Sequence, residues 1–236
     1  MAPRTTPRPA LCTFICIFWS LPLFSASIIH IPKDYPTIQQ GIDAASRGDT
    51  VLVAPGVYYE ALLIQKRITL ASHFLTTGDA SYIGKTTIDG GGGRAVTIWI
   101  KSGGSGTTVA GLTVTHGLDG IKLQGMATIV DNHITDNGDG MDYSSVSGGL
   151  CARNLIENSV AEAIDIDDKV SIIIEDNIMR NNRSDGIEIQ LHKYQDTTLT
   201  YIIRRNEIYG NRYDGIQLVE NAGQSNRFFL IERNLI

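Results

Sequence analysis

Proline is missing from most of this chain. All seven prolines lie at or before Pro55, so everything downstream is free of the residue that cannot donate to a sheet ladder. Asparagine shows the reverse distribution: all twelve lie at or after Asn132, where their side chains suit turns. Cysteine is scarce. Cys12 and Cys16 fall in an N-terminal leader, which leaves Cys151 alone and rules out a disulfide framework in the rest of the chain. Basic charge is also short, with 20 Lys and Arg against 25 Asp and Glu, a net charge of −5. Without Arg4 and Arg8 of the leader the balance is 18 against 25, or −7. Such a deficit argues against nucleic acid and against an anionic membrane surface as partners. It leaves room for an acidic polymer held through a metal. Charged residues make up 19% and hydrophobic ones 42%, the balance of a folded chain rather than a disordered one.

The leader covers residues 1–27. MAPRTTPRP carries two arginines and no acid, ALCTFICIFWSLPLF is apolar, and Ser25-Ala26-Ser27 offers small residues for cleavage. This three-part pattern reads as a secretory signal. A membrane anchor fits less well, because the apolar run is short and broken by Pro22. Export places the protein outside the cell, in a periplasm or at the cell surface, with no membrane attachment once the leader is removed.

The second half is a repeat. Asn132, Asn154, Asn177, Asn206 and Asn234 recur at intervals of 22, 23, 29 and 28 residues. Three residues before each stand Ile129, Cys151, Ile174, Ile203 and Ile231. Two residues after each stand Ile134, Ile156, Met179, Ile208 and Ile236. A third apolar column holds Ile121, Met141, Ile164, Ile187 and Ile216, introduced by Asp-Gly in four repeats and by Glu162-Ala163 in one. Each repeat contains short β-rich runs and no helical period. A unit of that size cannot bury its own apolar face, but stacked copies can. About 22 residues with about three short strands per turn describe a parallel β-helix, in which each column becomes a line of side chains about 4.8 Å apart. The asparagines are expected to form an amide ladder inside a turn. Cys151 is expected to be a small core hydrophobe. The residues before each Asn (Asp131, Arg153, Asp176, Arg205, Arg233) mix signs and read as a surface charge ladder.

Residues 36–71, PTIQQGIDAASRGDTVLVAPGVYYEALLIQKRITLA, predict a short amphipathic helix over Thr37 to Ala45, a strand over Thr50 to Val53 and a Pro55-Gly56 turn. This stretch resembles the N-terminal cap and first coils of right-handed parallel β-helix proteins of the pectin-lyase-like superfamily. Thr87-Ile88-Asp89-Gly90-Gly91 and Val109-Ala110-Gly111-Leu112-Thr113-Val114 resemble coil segments of the same group. The resemblance spans residues 28–236. It implies an all-β fold, a right-handed parallel β-helix with a short N-terminal capping helix. The expected organisation is a signal peptide at 1–27, cap and first coils at 28–106 and the repeats at 107–236. The chain stops inside a repeat, which reads as a fragment of a longer protein. The superfamily holds lyases, hydrolases, esterases, epimerases and non-catalytic adhesins, so the fold does not fix the function.

Candidate chemistry lies on one outward column. The residues following the third apolar column are Lys122, Asp142, Asp165, Glu188 and Gln217, and alternation along a strand turns them outward. Two residues earlier stand Gly120, Gly140, Ala163, Gly186 and Gly215, expected to leave a groove beside the polar line. Two long return legs, 190–200 and 219–227, are expected to wall it, bringing His192, Lys193, Tyr194 and Glu220. Asp142, Asp165 and Glu188, with Asp167 and Asp168, are hard oxygen donors of the kind Ca2+ takes. In polysaccharide lyases of the superfamily, an acidic cluster on an outer sheet binds Ca2+, which neutralises a uronate carboxylate while a basic side chain removes the adjacent proton. By that resemblance Lys122, Lys169, His192 or Lys193 is the base. The superfamily's epimerases point instead to His192 with Tyr194. Tyr143, Tyr194 and Tyr213 are candidates to stack on sugar rings, with Gln217 and Glu220 as further substrate contacts. The competing reading of the line is a solvated face that blocks aggregation.

Weaker signals add little. Gln195-Asp196-Thr197 and Gly56-Val57-Tyr58-Tyr59-Glu60 resemble short motifs of pectin methylesterases, without the motifs that follow in that family. His30, His73, His116, His133 and His192 show no metal spacing. The expectation is therefore an exported, monomeric β-helix that binds an acidic polysaccharide or other glycan, as a Ca2+-dependent lyase or epimerase of uronate polymers. The alternative is a non-catalytic surface β-helix that binds glycan or protein.

Overall fold

The computed structural model describes residues 26–236 apart from 93, 168, 192–197 and 221–225, and leaves the Glu220 side chain aside. Three sheets run the length of the molecule, and every strand pairing in them is parallel. The first sheet has nine strands, from Ile28–Ile31 and Thr50–Val53 through Met126–Val130, Val146–Ala152 and Lys169–Glu175 to Arg227–Glu232. The second has seven, including His133–Thr135, Leu155–Glu157 and Ile178–Arg180. The third also has seven: Leu62–Ile64, Ile98–Ile100, Asp119–Leu123, Asp139–Tyr143, Ile164–Ile166, Ile187–Leu191 and Ile216–Glu220. In each repeat the chain visits the three sheets in turn and then rises one coil.

The columns of the repeat become stacked neighbours. Ile129 pairs with Cys151 and Cys151 with Ile174, all fully buried. Met141 pairs with Ile164 and Ile164 with Ile187 on the third sheet, again without exposure. Cys151 is a core side chain as expected, and burial pushes its thiol up to about 12, which keeps it inert. The short helix forms over Ile38–Ala44. Thr37 caps it by accepting from the Gln40 N–H, and its buried Ile38, Gly41 and Ile42 pack on the first strands.

The asparagine column lies between the first and second sheets and forms the expected ladder. Asn177 donates to the carbonyls of Cys151 and Glu175 and to Asn206 Oδ1, and its own Oδ1 accepts from the backbone and side chain of Asn154. The residue before each Asn occupies the left-handed region: Asp131, Arg153, Asp176, Arg205 and Arg233 have φ of 55–59°, and Gly111 holds the same place one coil earlier at 70°. That reversal brings the amide inward. The charged side chains remain outside, where Arg153 grips Asp131 through two hydrogen bonds of 2.8 Å. A second corner repeats the device between the second and third sheets. Asp136, Asn158 and Asn181 have positive φ, and the buried Asn137, Ser159 and Asn182 and the half-buried Asn211 follow in a second line. Sequence reading missed this line, because Ser159 interrupts it.

Candidate functional site

The column Lys122, Asp142, Asp165, Glu188, Gln217 stands in register on the outer face of the third sheet. Upstream it continues through Trp99 and Leu63. A second acidic line begins the same strands: Asp119 pairs with Asp139, and Glu162, Asp185 and Asp214 follow one per coil. These are the acids that introduce the third apolar column. They were visible in the sequence as turn residues, and only their stacking beside the first line turns them into site residues.

Charge on this face changes sign along the axis. At one end the Lys122 ammonium lies in very close contact with Asp142 Oδ2 and 3.4 Å from Asp119 Oδ2. Partial burial alone would lower its pKa; the hydrogen bond and charge of Asp142 outweigh that and raise it. Beyond Asp142 no cation interrupts the acids among the described residues of the two lines. Glu162, Asp185 and Glu188 bring one carboxylate oxygen each to within 4.8 Å of the others. Burial, with the charges of Asp167, Asp139, Asp142 and Glu162 around it, pushes Asp165 up to about 8. Burial and the neighbouring Glu162 and Asp119 push Asp139 up to about 7. Glu188 rises too, through partial burial and Glu162. Buried oxygens of Asp139, Asp142 and Asp165 accept no hydrogen bond from the described residues. Some of the rest is satisfied: Ser184 donates to Glu162 at 2.6 Å, Gln190 to Glu188 at 3.1 Å, and the Asp214 N–H to Asp185 at 2.6 Å. Such a face relieves its repulsion by taking up protons or by binding a cation, and three converging carboxylates are a donor set suited to a hard divalent ion.

Several expectations need correcting. The small column is no outer groove. A Cβ on Gly120 would lie 2.6 Å from the Gly140 carbonyl oxygen and 2.9 Å from Ile134 Cγ2, and Ala163 is fully buried. These positions are small because the chain turns against the core there. Tyr143 is fully buried, so its ring presents no face to a sugar; alternation beside the outward Asp142 sends it inward. Lys122 is unsuited as a base, because its acidic neighbours hold it protonated. Of the expected metal ligands, Glu188 joins the converging trio, Asp165 stands beside it and Asp167 contributes charge to both, whereas Asp142 is engaged by Lys122. Gln217 is half-buried next to Glu188, and Lys169 begins a strand of the first sheet. His192, Lys193 and Tyr194, like Asp168, lie outside the described residues. Glu220 is described in its backbone alone, paired with Leu191.

Three sheets of parallel strands stacked coil on coil, with ladders at two corners, define a parallel β-helix of the pectin-lyase-like type. The chain belongs to the right-handed β-helix family, whose profile, described as "Right handed beta helix region", matches residues 72–236. Among solved structures, the A-module of a mannuronan C-5 epimerase from Azotobacter vinelandii superposes with a TM-score of 0.54 at 18% identity, covering 76% of this chain. This chain spans 54% of that module's length. An alginate lyase from Paenibacillus sp. strain FPU-7 aligns over 81% of this chain and 99% of its own, at 16% identity and a TM-score of 0.41. A second alginate lyase, of polysaccharide lyase family 6, aligns over 89% of this chain and 40% of its own, at 14% identity and 0.46. A comparison with curated proteins gives no match. The family match and the superposition on the epimerase module agree on the fold. No described helix is long and apolar enough to cross a membrane.

Proposed function

We propose that this is an exported protein that binds an acidic polysaccharide along its third sheet through a divalent cation, Ca2+ by its oxygen donors. The observation that carries the reading is the convergence of Glu162, Asp185 and Glu188 within 4.8 Å beside an Asp165 whose carboxyl is pushed up to about 8. A surface evolved only for solubility gains nothing from crowding carboxylates until they resist ionisation. The donor set fits the ion: all three ligands are carboxylates, and their excess negative charge is what a cation would compensate. The epimerase module that shares the fold acts, by its name, on mannuronan, which is a uronate polymer.

In this reading Glu162, Asp185 and Glu188 hold the ion, and Asp165 keeps a proton near neutral pH that it can release when positive charge arrives. A bound cation would neutralise a uronate carboxylate and so acidify the adjacent C–H. Lys122, fixed in its charged form by Asp142, orients an anionic or hydroxyl group of the chain. His192, with Tyr194 beside it in sequence, is the proposed proton acceptor of a lyase or epimerase reaction. A non-catalytic glycan binder is the second reading, favoured by the acidic neighbours that hold Lys122 charged and remove one candidate base.

The test is calorimetric titration of polygalacturonate and alginate with and without Ca2+, alongside melting curves. Ca2+ is expected to raise both the melting temperature and polymer affinity, and Asp185→Asn is expected to abolish both gains. Identical curves in Ca2+ and in chelator would overturn the metal site. A rise in ultraviolet absorbance from unsaturated uronate ends, lost in His192→Ala, separates lyase from binder.

A further inference from the structure

The other end of the same sheet has the opposite chemistry. A groove of about 520 Å3 opens between the strands Leu62–Ile64, Ile98–Ile100 and Asp119–Leu123 and the segment leading into the second of these. Its floor is apolar: Leu63 and Leu118 are exposed there, and Trp99 stands between Leu63 and Lys122 in the register. Its rim carries three cations, Arg94, Lys101 and Lys122, against the single acid Asp119. The Lys101 ammonium lies 3.1 Å from the Trp99 ring centroid, which holds its charge at the aromatic face. Arg94 is exposed and pairs with no carboxylate among the described residues. The Trp99 indole N–H has no acceptor among the described residues.

We infer that this groove is a second subsite for the same polymer, binding a carboxylated sugar residue directly, without a cation. An apolar floor suits the C–H face of a sugar ring, and the Arg94 and Lys101 charges suit its carboxylate. A neutral sugar would leave those charges unused. The inference rests on the acidic sheet being a glycan-binding face, and it fixes the substrate class as a uronate chain. It also fixes a minimum length and an orientation. Trp99, Lys122, Asp142, Asp165 and Glu188 lie on successive coils, so Trp99 in the groove and Glu188 in the acidic trio are separated by four steps of about 4.8 Å. One step is close to the length of a hexose unit in an extended chain, so about five units bridge the two ends. The polymer then runs parallel to the helix axis, with a charge-paired residue at Trp99 and a cation-bridged residue at Glu188.

The test uses the full chain and oligogalacturonates of two to seven units. In chelator, where the acidic trio is silenced, tryptophan fluorescence is expected to shift with the dimer and trimer. Trp99→Phe must remove the shift, because Trp19 is the only other tryptophan. Neutral cello-oligosaccharides of equal length are expected to give none. Arg94→Gln with Lys101→Gln is expected to weaken uronate binding at least tenfold while leaving the melting curve unchanged. In Ca2+, affinity is expected to climb between three and five units in the wild type and to stay flat in the double variant. No uronate shift in chelator while Ca2+-dependent binding persists would overturn the groove and leave the acidic sheet standing. A shift in chelator with no Ca2+ dependence, insensitive to Asp185→Asn, would retain the groove and overturn the cation site. Equal response to neutral oligosaccharides would overturn the carboxylate specificity.

Discussion

The asparagine line at the first corner of this solenoid and the acidic lines on its third sheet are built to opposite rules. The Asn132–Asn234 ladder is satisfied, and it is buried from Asn132 to Asn206. Each inner amide donates to a carbonyl of the previous coil and to the next asparagine oxygen, and its own oxygen receives backbone N–H from the preceding coil. The acidic lines of the third sheet are partly buried and only partly satisfied: oxygens of Asp139, Asp142 and Asp165 have no donor among the described residues, and two carboxyls are pushed to about 7 and about 8. An amide carries a donor and an acceptor, so a stack of identical amides is self-complementary. A carboxylate carries acceptors alone, so a stack of them requires something from outside. The corner holds the coils together, and the face is the side on which a cation is proposed to bind.

Substitution should bring out that contrast with opposite signs. Asn177→Ala should be the most damaging change. It strands the Cys151 and Glu175 carbonyls and the Asn154 N–H groups, at about 1–3 kcal/mol for each group left unpaired, so a loss of several kcal/mol is expected in urea or thermal unfolding. Near-wild-type stability would mean that the ladder is ornamental.

Asp165→Asn should do the reverse. A carboxyl raised in the folded state contributes its stability fully below the unfolded value near 4 and loses it as pH climbs through the folded value near 8. In chelator the wild type should therefore weaken steadily from about pH 4 to pH 8 and then level off, with Asp139 adding to the slope up to about pH 7. Asp165→Asn should flatten that slope and gain a few kcal/mol at pH 9, with little difference at or below about pH 4. A mutant that is less stable at pH 9 would show that Asp165 is structural.

The smallest effect is expected at Arg153→Ala. Its pair with Asp131 is bidentate but more than half exposed on the arginine side, so a change within about 1 kcal/mol is expected at moderate salt. A larger loss would mean that the charged rim, rather than the amide within, secures the corner.

Much of this was readable from the chain. The Asn interval, the apolar columns and the outward run from Lys122 to Gln217 could be placed in register before any coordinates, because parallel stacking forces residues of like role into like positions. The site was readable only in part. Glu162 and Asp185 looked like turn residues, since nothing local says that their oxygens meet Glu188. Tyr143 was offered as a sugar platform although the alternation beside Asp142 already turned it inward. Gly120 and Gly140 read as open space, whereas the turn against Ile134 and Ile156 leaves no room for a side chain. Trp99, Lys101 and Arg94 went unnoticed because they precede the asparagine repeat, where no period aligns them with Lys122.

The sequence alone determined the solenoid, its coil length and its inner columns, because each coil sees almost only its neighbours and the pattern must repeat to bury apolar surface. Tertiary structure alone decided which acids converge, which lysine is neutralised and where the charge on the third sheet changes sign. Those depend on distances of a few ångströms between side chains on neighbouring coils, such as Glu162 and Asp185 or Lys122 and Asp142, and electrostatic energy falls with distance in space, to which position along the chain is no guide.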